Sequence, residues 1–385
     1  MTIRYPLYYE NFHCIADRCE DTCCAGWEID IDDRSYQYYN SVTGEMGKRL
    51  KNSIREYGLE QEDAYEAHGF VLDKDRRCPF LNDEGLCDLF LELGEGSLCD
   101  VCTNTPRNFM EYGREREISI SASCPEAARL IYGKKEPIVF VEREEEGELD
   151  FEESPEEIMF AHRIRDARDQ SVKILQDRKY TVTARIAHFL KFAGAVQSCL
   201  NANEPDKIES IPVEQYWVQA VSGGPKETKY RLFLSRMCSF TKLDSIREDW
   251  NETLQMLQKR YITPENGASV YAADMAAWQH YLTEEGREFE YEHFLVYYAY
   301  LCLARCVDDY DFLGKAKLCV VNYLMIRDMD MACYGENGEY SVDERLHMVR
   351  LYAKEIEHSE ENLDFLAEEF LFEDAYDVEN LIVSL

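Results

Sequence analysis

From about residue 158 onward, apolar side chains return every three or four positions. The segment IMFAHRIRDARDQSVKILQDR (158–178) alternates apolar and charged faces at the period of an α-helix, and TVTARIAHFLKFAGAVQSCL (181–200) does the same. Thr181 or Thr183 is available as the N-cap of the second. The same spacing predicts further helices over roughly 229–240, 245–260, 271–282, 288–307, 313–328 and 341–372. No repeat of fixed period interrupts them. Helix after helix predicts an all-α bundle or a loose solenoid-like stack.

Upstream of residue 140 the pattern changes to short segments broken by frequent turns. Between the two regimes lies EREEEGELDFEESPEE (142–157), almost entirely acidic, with Gly147 and Pro155. A block of like charge repels itself and stays solvated. The predicted organisation is therefore a small cysteine-rich metal-binding region with short strands and turns over 1–140, an acidic linker or exposed loop over 141–157, and an all-α domain over 158–385. A chain of 385 residues is long enough for about two domains, and the fold class expected is mainly α.

Charge narrows the partners. Seventy-six acidic against 42 basic residues give a formal net charge of -34. Such a surface repels phosphate backbones and anionic lipid, so neither nucleic acid nor membrane is an expected partner. The opening residues MTIRYP carry no apolar signal core. The most apolar run, FLVYYAYLCLA (294–304), is too short to cross a bilayer and suits a buried helix. The expected location is the cytoplasm. Thiols stay reduced there, so fifteen cysteines, an odd number, argue for metal or redox chemistry rather than disulfides.

Nine of these cysteines fall within the first 124 residues: Cys14, Cys19, Cys23, Cys24, Cys78, Cys87, Cys99, Cys102 and Cys124. Close spacing supplies thiols in pairs, and folding must bring distant pairs together around an ion. Thiolates suit tetrahedral zinc or an iron–sulfur cluster, and these spacings match neither a zinc finger nor a ferredoxin run. Neighbouring side chains tend to diverge, so either one of Cys23 and Cys24 binds while the other packs, or the two serve separate centres. In SCPEAARL (123–130) Pro125 suits a first helical turn, and Ser123 with Glu126 has capping-box spacing. Cys124 then sits at a helix N-terminus, which is expected to lower its pKa and favour the thiolate. The remaining six cysteines (199, 238, 302, 306, 319 and 333) lie in helical patterns and read as small buried apolar residues. His13 adjoins Cys14, but a surface or core role is expected for it. His188 and His293 lie in apolar helical runs and are expected to be packed. Trp27 is expected to shield the thiols from water.

Four stretches together, FHCIADRCEDTCCAGWEIDID (12–32), CPFLNDEGLCDLF (78–90), CTNTPRNF (102–109) and SISASCPEAARLI (119–131), resemble the flagellin lysine-N-methylase family. They also resemble the wider group of CxxCxxCC-type metal-chelating domains. The resemblance is dense over about 12–132 and limited to general character beyond. It implies methylation of lysine ε-amines of flagellin, with S-adenosylmethionine as donor. It also implies a cysteine-held metal centre, for which a [4Fe–4S] cluster is the expectation and zinc the alternative. Carried over residue by residue, Cys14, Cys19, Cys23 and Cys24 match the first motif, and Cys78 and Cys87 the second. Cys102 matches the cysteine before Pro-Arg, and Cys124 the Cys-Pro-Glu motif. Cys99 departs from the pattern. Eight matching thiols exceed the four ligands of one cluster, so a second metal or non-ligand roles stay open.

Glu92-Leu-Gly-Glu-Gly96 imitates a nucleotide-binding methyltransferase loop, but the eleven residues between Cys87 and Cys99 leave no room for a βαβ unit. It reads instead as a helix end with Gly94 as C-cap. Lysine's amine must lose its proton before it attacks a methyl group, and the chain nominates no catalytic base among its many carboxylates and tyrosines. Arg107 is a candidate for the donor's carboxylate, since arginine makes bidentate contacts to such groups. The competing reading, from a different class, is a zinc-stapled protein-binding or carrier module without catalysis.

Overall fold

The computed structural model describes residues 1–57, 66–112, 114–145, 153–217 and 224–385. In chain order these form β1 (Thr2–Pro6), β2 (Asp30–Ile31), α1 (Asp33–Ser41), α2 (Gly44–Ser53), β3 (Ile54–Glu56), β4 (His68–Phe70), α3 (Asp88–Leu93), α4 (Asp100–Asn104), β5 (Arg107–Tyr112), β6 (Glu115–Ile120), α5 (Pro125–Tyr132) and β7 (Phe140–Glu144). Helices follow: α6 (Pro155–Leu175), α7 (Val182–Asn201), α8 (Lys226–Phe240), α9 (Glu248–Tyr261), α10 (Gly267–Glu285), α11 (Glu288–Cys302), α12 (Cys306–Asp309), α13 (Phe312–Asn337), α14 (Val342–Glu357), α15 (Glu360–Phe372) and α16 (Val378–Ser384). The protein is mainly helical with a few short strands.

Contacts divide the chain into two compact units that are not consecutive stretches. One, the helical unit, comprises Met1–Glu10, Phe109–Ser119 and Arg129–Leu385; the other, the cysteine unit, comprises Asn11–Asn108 and Ile120–Ala128. Of the acidic stretch 141–157, residues 141–144 end β7 and 155–157 begin α6. Residues 146–152 of that stretch lie outside the described residues.

In the helical unit α13 is buried around its whole circumference from Cys319 to Cys333, as a helix must be when neighbours cover every face. It packs against α7, α9, α10, α11, α14, α15 and α16. Its two buried aspartates are neutralised inside. Asp328 pairs with Arg236 and accepts from the Tyr271 hydroxyl at 2.9 Å. Asp330 pairs with Arg345 and accepts from Tyr291 at 2.8 Å and Tyr340 at 2.6 Å. Such pairs tolerate burial only when this well partnered. The run 294–304 forms most of α11 and the turn after it, and all of it except Leu301 and Cys302 is deeply buried. Among the described residues no helix is long and apolar enough to cross a membrane. A four-stranded sheet of order β5-β6-β1-β7 belongs mostly to this unit, with β1 parallel to β6 and antiparallel to β7.

Most helices lie where the spacing predicts, with local signals setting the ends. Thr181 caps α7 by accepting from the Ala184 N–H at 3.3 Å. Ser154 and Glu157 form a capping box at α6. The segment 341–372 is not one helix: it breaks at His358–Ser359, and the Ser359 side chain caps α15 by accepting from the Asn362 N–H. A serine with that role competes with the continuing helix for backbone bonds, which is why the periodic pattern ran through the break unnoticed.

The cysteine unit holds a three-stranded antiparallel sheet of order β2-β4-β3 and the helices α1 to α4. Its core joins Ile29, Ile31, Tyr39, Leu50, Phe70, Phe80 and Leu89 with Cys78 and Cys99. Asp32 organises one edge. Its carboxylate accepts from the Ser35 N–H at 2.9 Å, capping α1, and from the Asp100 N–H at 2.9 Å, holding the start of α4.

Candidate functional site

Five thiols converge on the core of the cysteine unit. Cys78 and Cys99 are buried in it, and Cys24, Cys87 and Cys102 pack against it. Local geometry delivers each one. The Cys78 N–H donates to the Cys24 carbonyl at 2.8 Å, and a bridge between Ala25 and Arg77 extends that pairing. Gly26 makes the turn beyond it at φ +106°, a conformation that favours glycine. A turn built on Asn82, whose side-chain oxygen accepts from the Glu84 and Leu86 amides, folds the chain back so that Leu81 bridges Cys87. Cys87 immediately precedes α3, and Cys99 immediately precedes α4. Cys102 lies one turn into α4, on the same side as Cys99. Gly94 closes α3 at φ +86° with its N–H on the Phe90 carbonyl, so the 92–96 stretch is a helix end.

The thiols interact electrically. The hydrogen bond from Cys102 holds the Cys99 thiol below its ordinary pKa, against burial, and Cys102 is raised in return. Cys24 is lowered first by its hydrogen bond with Cys23, with burial opposing. Cys23 is exposed while Cys24 is partly buried against the core. Cys78 is pushed up to about 11 by burial, with the charges of Cys87 and Cys99 adding to it.

Cys23 also connects to a second group. Cys124 feels the charges of Cys19 and Cys23, and Cys19 feels that of Cys14. Cys14, Cys19, Cys23 and Cys124 thus lie within electrostatic range of one another in the cysteine unit, outside the five that share its core. Pro125 opens α5, and the amides of Glu126 and Ala127 point at the Cys124 sulfur. The expected lowering of its pKa does not follow: burial outweighs the amides and lifts the thiol to about 11. A helix end stabilises a thiolate only as far as desolvation allows.

Among the described residues no three His, Cys, Asp or Glu side chains are arranged as a ready-made metal site. The donor chemistry nevertheless fits a thiophilic group, because five sulfurs share one core cluster. Cys99, which the family pattern does not require, is one of them. A CxxC pair at a helix start was the signal for it in the sequence. His13 is exposed, and Trp27 is half-buried. Arg107 begins β5 with its guanidinium 5.2 Å from the centre of the Phe12 ring.

Of the six later cysteines, Cys306, Cys319 and Cys333 are buried as expected, but Cys199 and Cys302 are only partly buried and Cys238 is exposed. Cys238 falls on the outward face of α8, where a small side chain has no core to enter. His188 and His293 are buried; His188 Nε2 lies 2.9 Å from the Val213 carbonyl, and the His293 ring nitrogens lie at 2.8 and 3.0 Å from the Ile131 and Glu136 carbonyls.

The family described as FliB lysine N-methylase C-terminal domain matches residues 168–384. A lysine-N-methylase of Salmonella choleraesuis is 24% identical over 143 residues, which is 37% of this chain and 35% of that protein. A flagellar biosynthetic protein FliU of Salmonella muenchen is 25% identical over 144 residues, 37% of this chain and 84% of that one. A second lysine-N-methylase, from Salmonella typhimurium, is 23% identical over 145 residues, 37% of this chain and 35% of its own length. The matched segment thus spans about a third of the lysine-N-methylases. No solved structure matches the chain.

Proposed function

Because the chain belongs to the FliB lysine N-methylase family, we propose that it is a protein lysine N-methyltransferase acting on flagellin in the cytoplasm, with S-adenosylmethionine as donor. The family match over residues 168–384 is the observation that carries this reading. The names of the relatives, lysine-N-methylase and flagellar biosynthetic protein, support lysine as the modified residue and a flagellar protein as its bearer.

Methyl transfer asks little covalent chemistry of the protein. The neutral amine attacks the methyl carbon, the carbon–sulfur bond of the sulfonium breaks with its electron pair left on sulfur, and the new ammonium sheds a proton. The protein must hold nitrogen, carbon and sulfur in line and exclude water. We assign Arg107 to the donor's carboxylate, as a guanidinium suited to bidentate contact.

We further propose a cysteine-held metal centre, a [4Fe–4S] cluster before zinc. Cys24, Cys78, Cys87, Cys99 and Cys102 are the donors their shared core supports, with Cys14, Cys19, Cys23 and Cys124 as the adjoining set. Such a cluster supplies redox capacity or a Lewis-acidic iron when bound. The chain's own residues meanwhile hold the thiols in two loops and two helix starts.

The test is incubation of flagellin with anaerobically purified protein and S-adenosylmethionine, read by mass spectrometry of flagellin peptides. Methylated lysines that vanish when the donor is omitted are the expected result. A colourless zinc protein that binds flagellin and leaves its lysines unmodified would overturn the reading in favour of a carrier module.

A further inference from the structure

The C-terminal end of α15, in the helical unit, leaves apolar side chains in water. Leu371 is 74% and Phe372 80% exposed, the highest values of any large apolar residue among the described residues. Ala367, one turn back, is exposed as well. The opposite side of the helix is already docked, with Asn362, Leu366 and Phe370 buried. A single exposed leucine is ordinary on a protein surface, but an adjacent pair this open is a contact face when its surroundings match a partner. The surroundings are acidic. Glu360, Asp364, Glu368 and Phe372 follow one another four residues apart, and all four are exposed. Like charges at that spacing repel across one helical turn, and α15 contains no Lys, Arg or His to offset them. Glu368, Glu373 and Asp374 also stand at the negative end of the helix dipole, where acids are unfavourable. The inner side of that end is answered: Lys242 pairs with Glu369 at 3.5 Å, and the Lys317 ammonium donates to the Phe370 carbonyl at 2.8 Å. On the outer side, among the described residues, no cation pairs with Asp364, Glu368, Glu373 or Asp374.

The partner that fits such a face carries cations beside apolar side chains. A second copy of this chain does not, because a two-fold contact through α15 sets one acidic ridge against another on molecules of net charge -34. An anionic surface is repelled for the same reason. We propose that the outer face of α15 docks a basic amphipathic segment of the flagellar protein substrate. Its apolar side chains cover Leu371 and Phe372, and its lysines or arginines lie along Asp364 and Glu368. Covering the two apolar residues removes them from water, and the cations offset a repulsion that the free helix bears, which steers and orients the encounter. The proposal rests on the reading of the protein as a methyltransferase of a flagellar protein. It names a surface that recruits the substrate and assigns nothing on α15 to methyl transfer.

Two double variants of the full-length protein test it. Leu371→Ser with Phe372→Ser removes the apolar contact from side chains outside the core, so the melting temperature is expected to hold. Asp364→Asn with Glu368→Gln keeps the shapes and removes two repelling charges. A purely structural role for these acids predicts a melting temperature held or raised and an unchanged KM. Docking predicts, at low salt, a KM for flagellin raised about fivefold or more in each double variant. If the wild type methylates flagellin and either double variant shows a smaller rise, docking on α15 is overturned while the methylase reading stands. Self-association of the wild type in sedimentation velocity that Leu371→Ser with Phe372→Ser abolishes also overturns it, in favour of a second copy. If the wild type methylates nothing, the face is read by NMR titration with a synthetic amphipathic peptide of leucine and lysine. Binding that weakens in both double variants supports the docking face; undiminished binding in either, or none to the wild type, overturns it.

Discussion

The backbone N–H of Cys78 donates to the carbonyl oxygen of Cys24 at 2.8 Å, joining two segments that lie far apart in the chain. Each segment carries a cysteine into the same core. The bond fixes register between the loops, so the sulfurs come together through backbone pairing and do not depend on side-chain flexibility.

Cys99 is the sharpest probe of that core. Cys99→Ser is expected to lower the metal bound per chain after anaerobic purification, with an affinity loss of about tenfold or more. Cys238→Ser alters an exposed thiol on α8 and is expected to leave metal content unchanged. Elemental analysis of the two variants beside the wild type decides it.

Asp32 holds α1 and α4 through two amides. Asp32→Ala is expected to cost about 1–2 kcal/mol of stability, the usual range for a lost cap. Burial pushes the Asp32 pKa up, but the amides of Asp100 and Ser35 prevail and hold it below the ordinary value. A depressed folded pKa gives stability that is present above the unfolded pKa, about 3.9, and lost as pH falls through the folded value. Asp32→Asn is expected to flatten that acid limb in urea midpoints measured downward from pH 5.

Glu355 behaves oppositely. It is fully buried on α14, where Oε2 accepts from the Ile246 N–H at 2.8 Å, and burial lifts its pKa to about 7. Arg247 and the amides of Ile246 and Arg247 pull the value down, and Asp249 pushes it up. A raised folded pKa gives stability that is fully present below the unfolded pKa, about 4.3, and lost as pH rises through the folded value. Denaturation midpoints of the wild type are expected to fall between pH 5 and 8. Glu355→Gln is expected to hold its midpoint there and to exceed the wild type at pH 8 by about 1–3 kcal/mol.

Gly47 sits where α2 passes the end of α1. A Cβ there would meet the Val42 carbonyl oxygen at 2.1 Å, and backbone cannot step aside. Gly47→Ala is expected to destabilise the protein by about 1–3 kcal/mol despite alanine's better helix propensity. A circular-dichroism melt against wild type measures it.

The sequence alone determined most of the helices from residue 158 on, because apolar positions at helical spacing mark a helix whether one face is buried, as in α9, or every face is, as in α13. It also singled out the thiols as a group, since nine of the fifteen cysteines fall in the first 124 residues. Tertiary structure decided what depends on distance. Only folding placed β1 and β7 with the helices while Cys124 joined Cys19 and Cys23 in the other unit. Only burial reversed the pKa of Cys124, because desolvation is set by neighbours from the whole unit and a helix start is set by the few residues around it. The bonds of Tyr297 and Tyr298 to Glu357 had no pattern to reveal them: the two are among 26 tyrosines, and their acceptor lies some sixty residues on, at the end of α14.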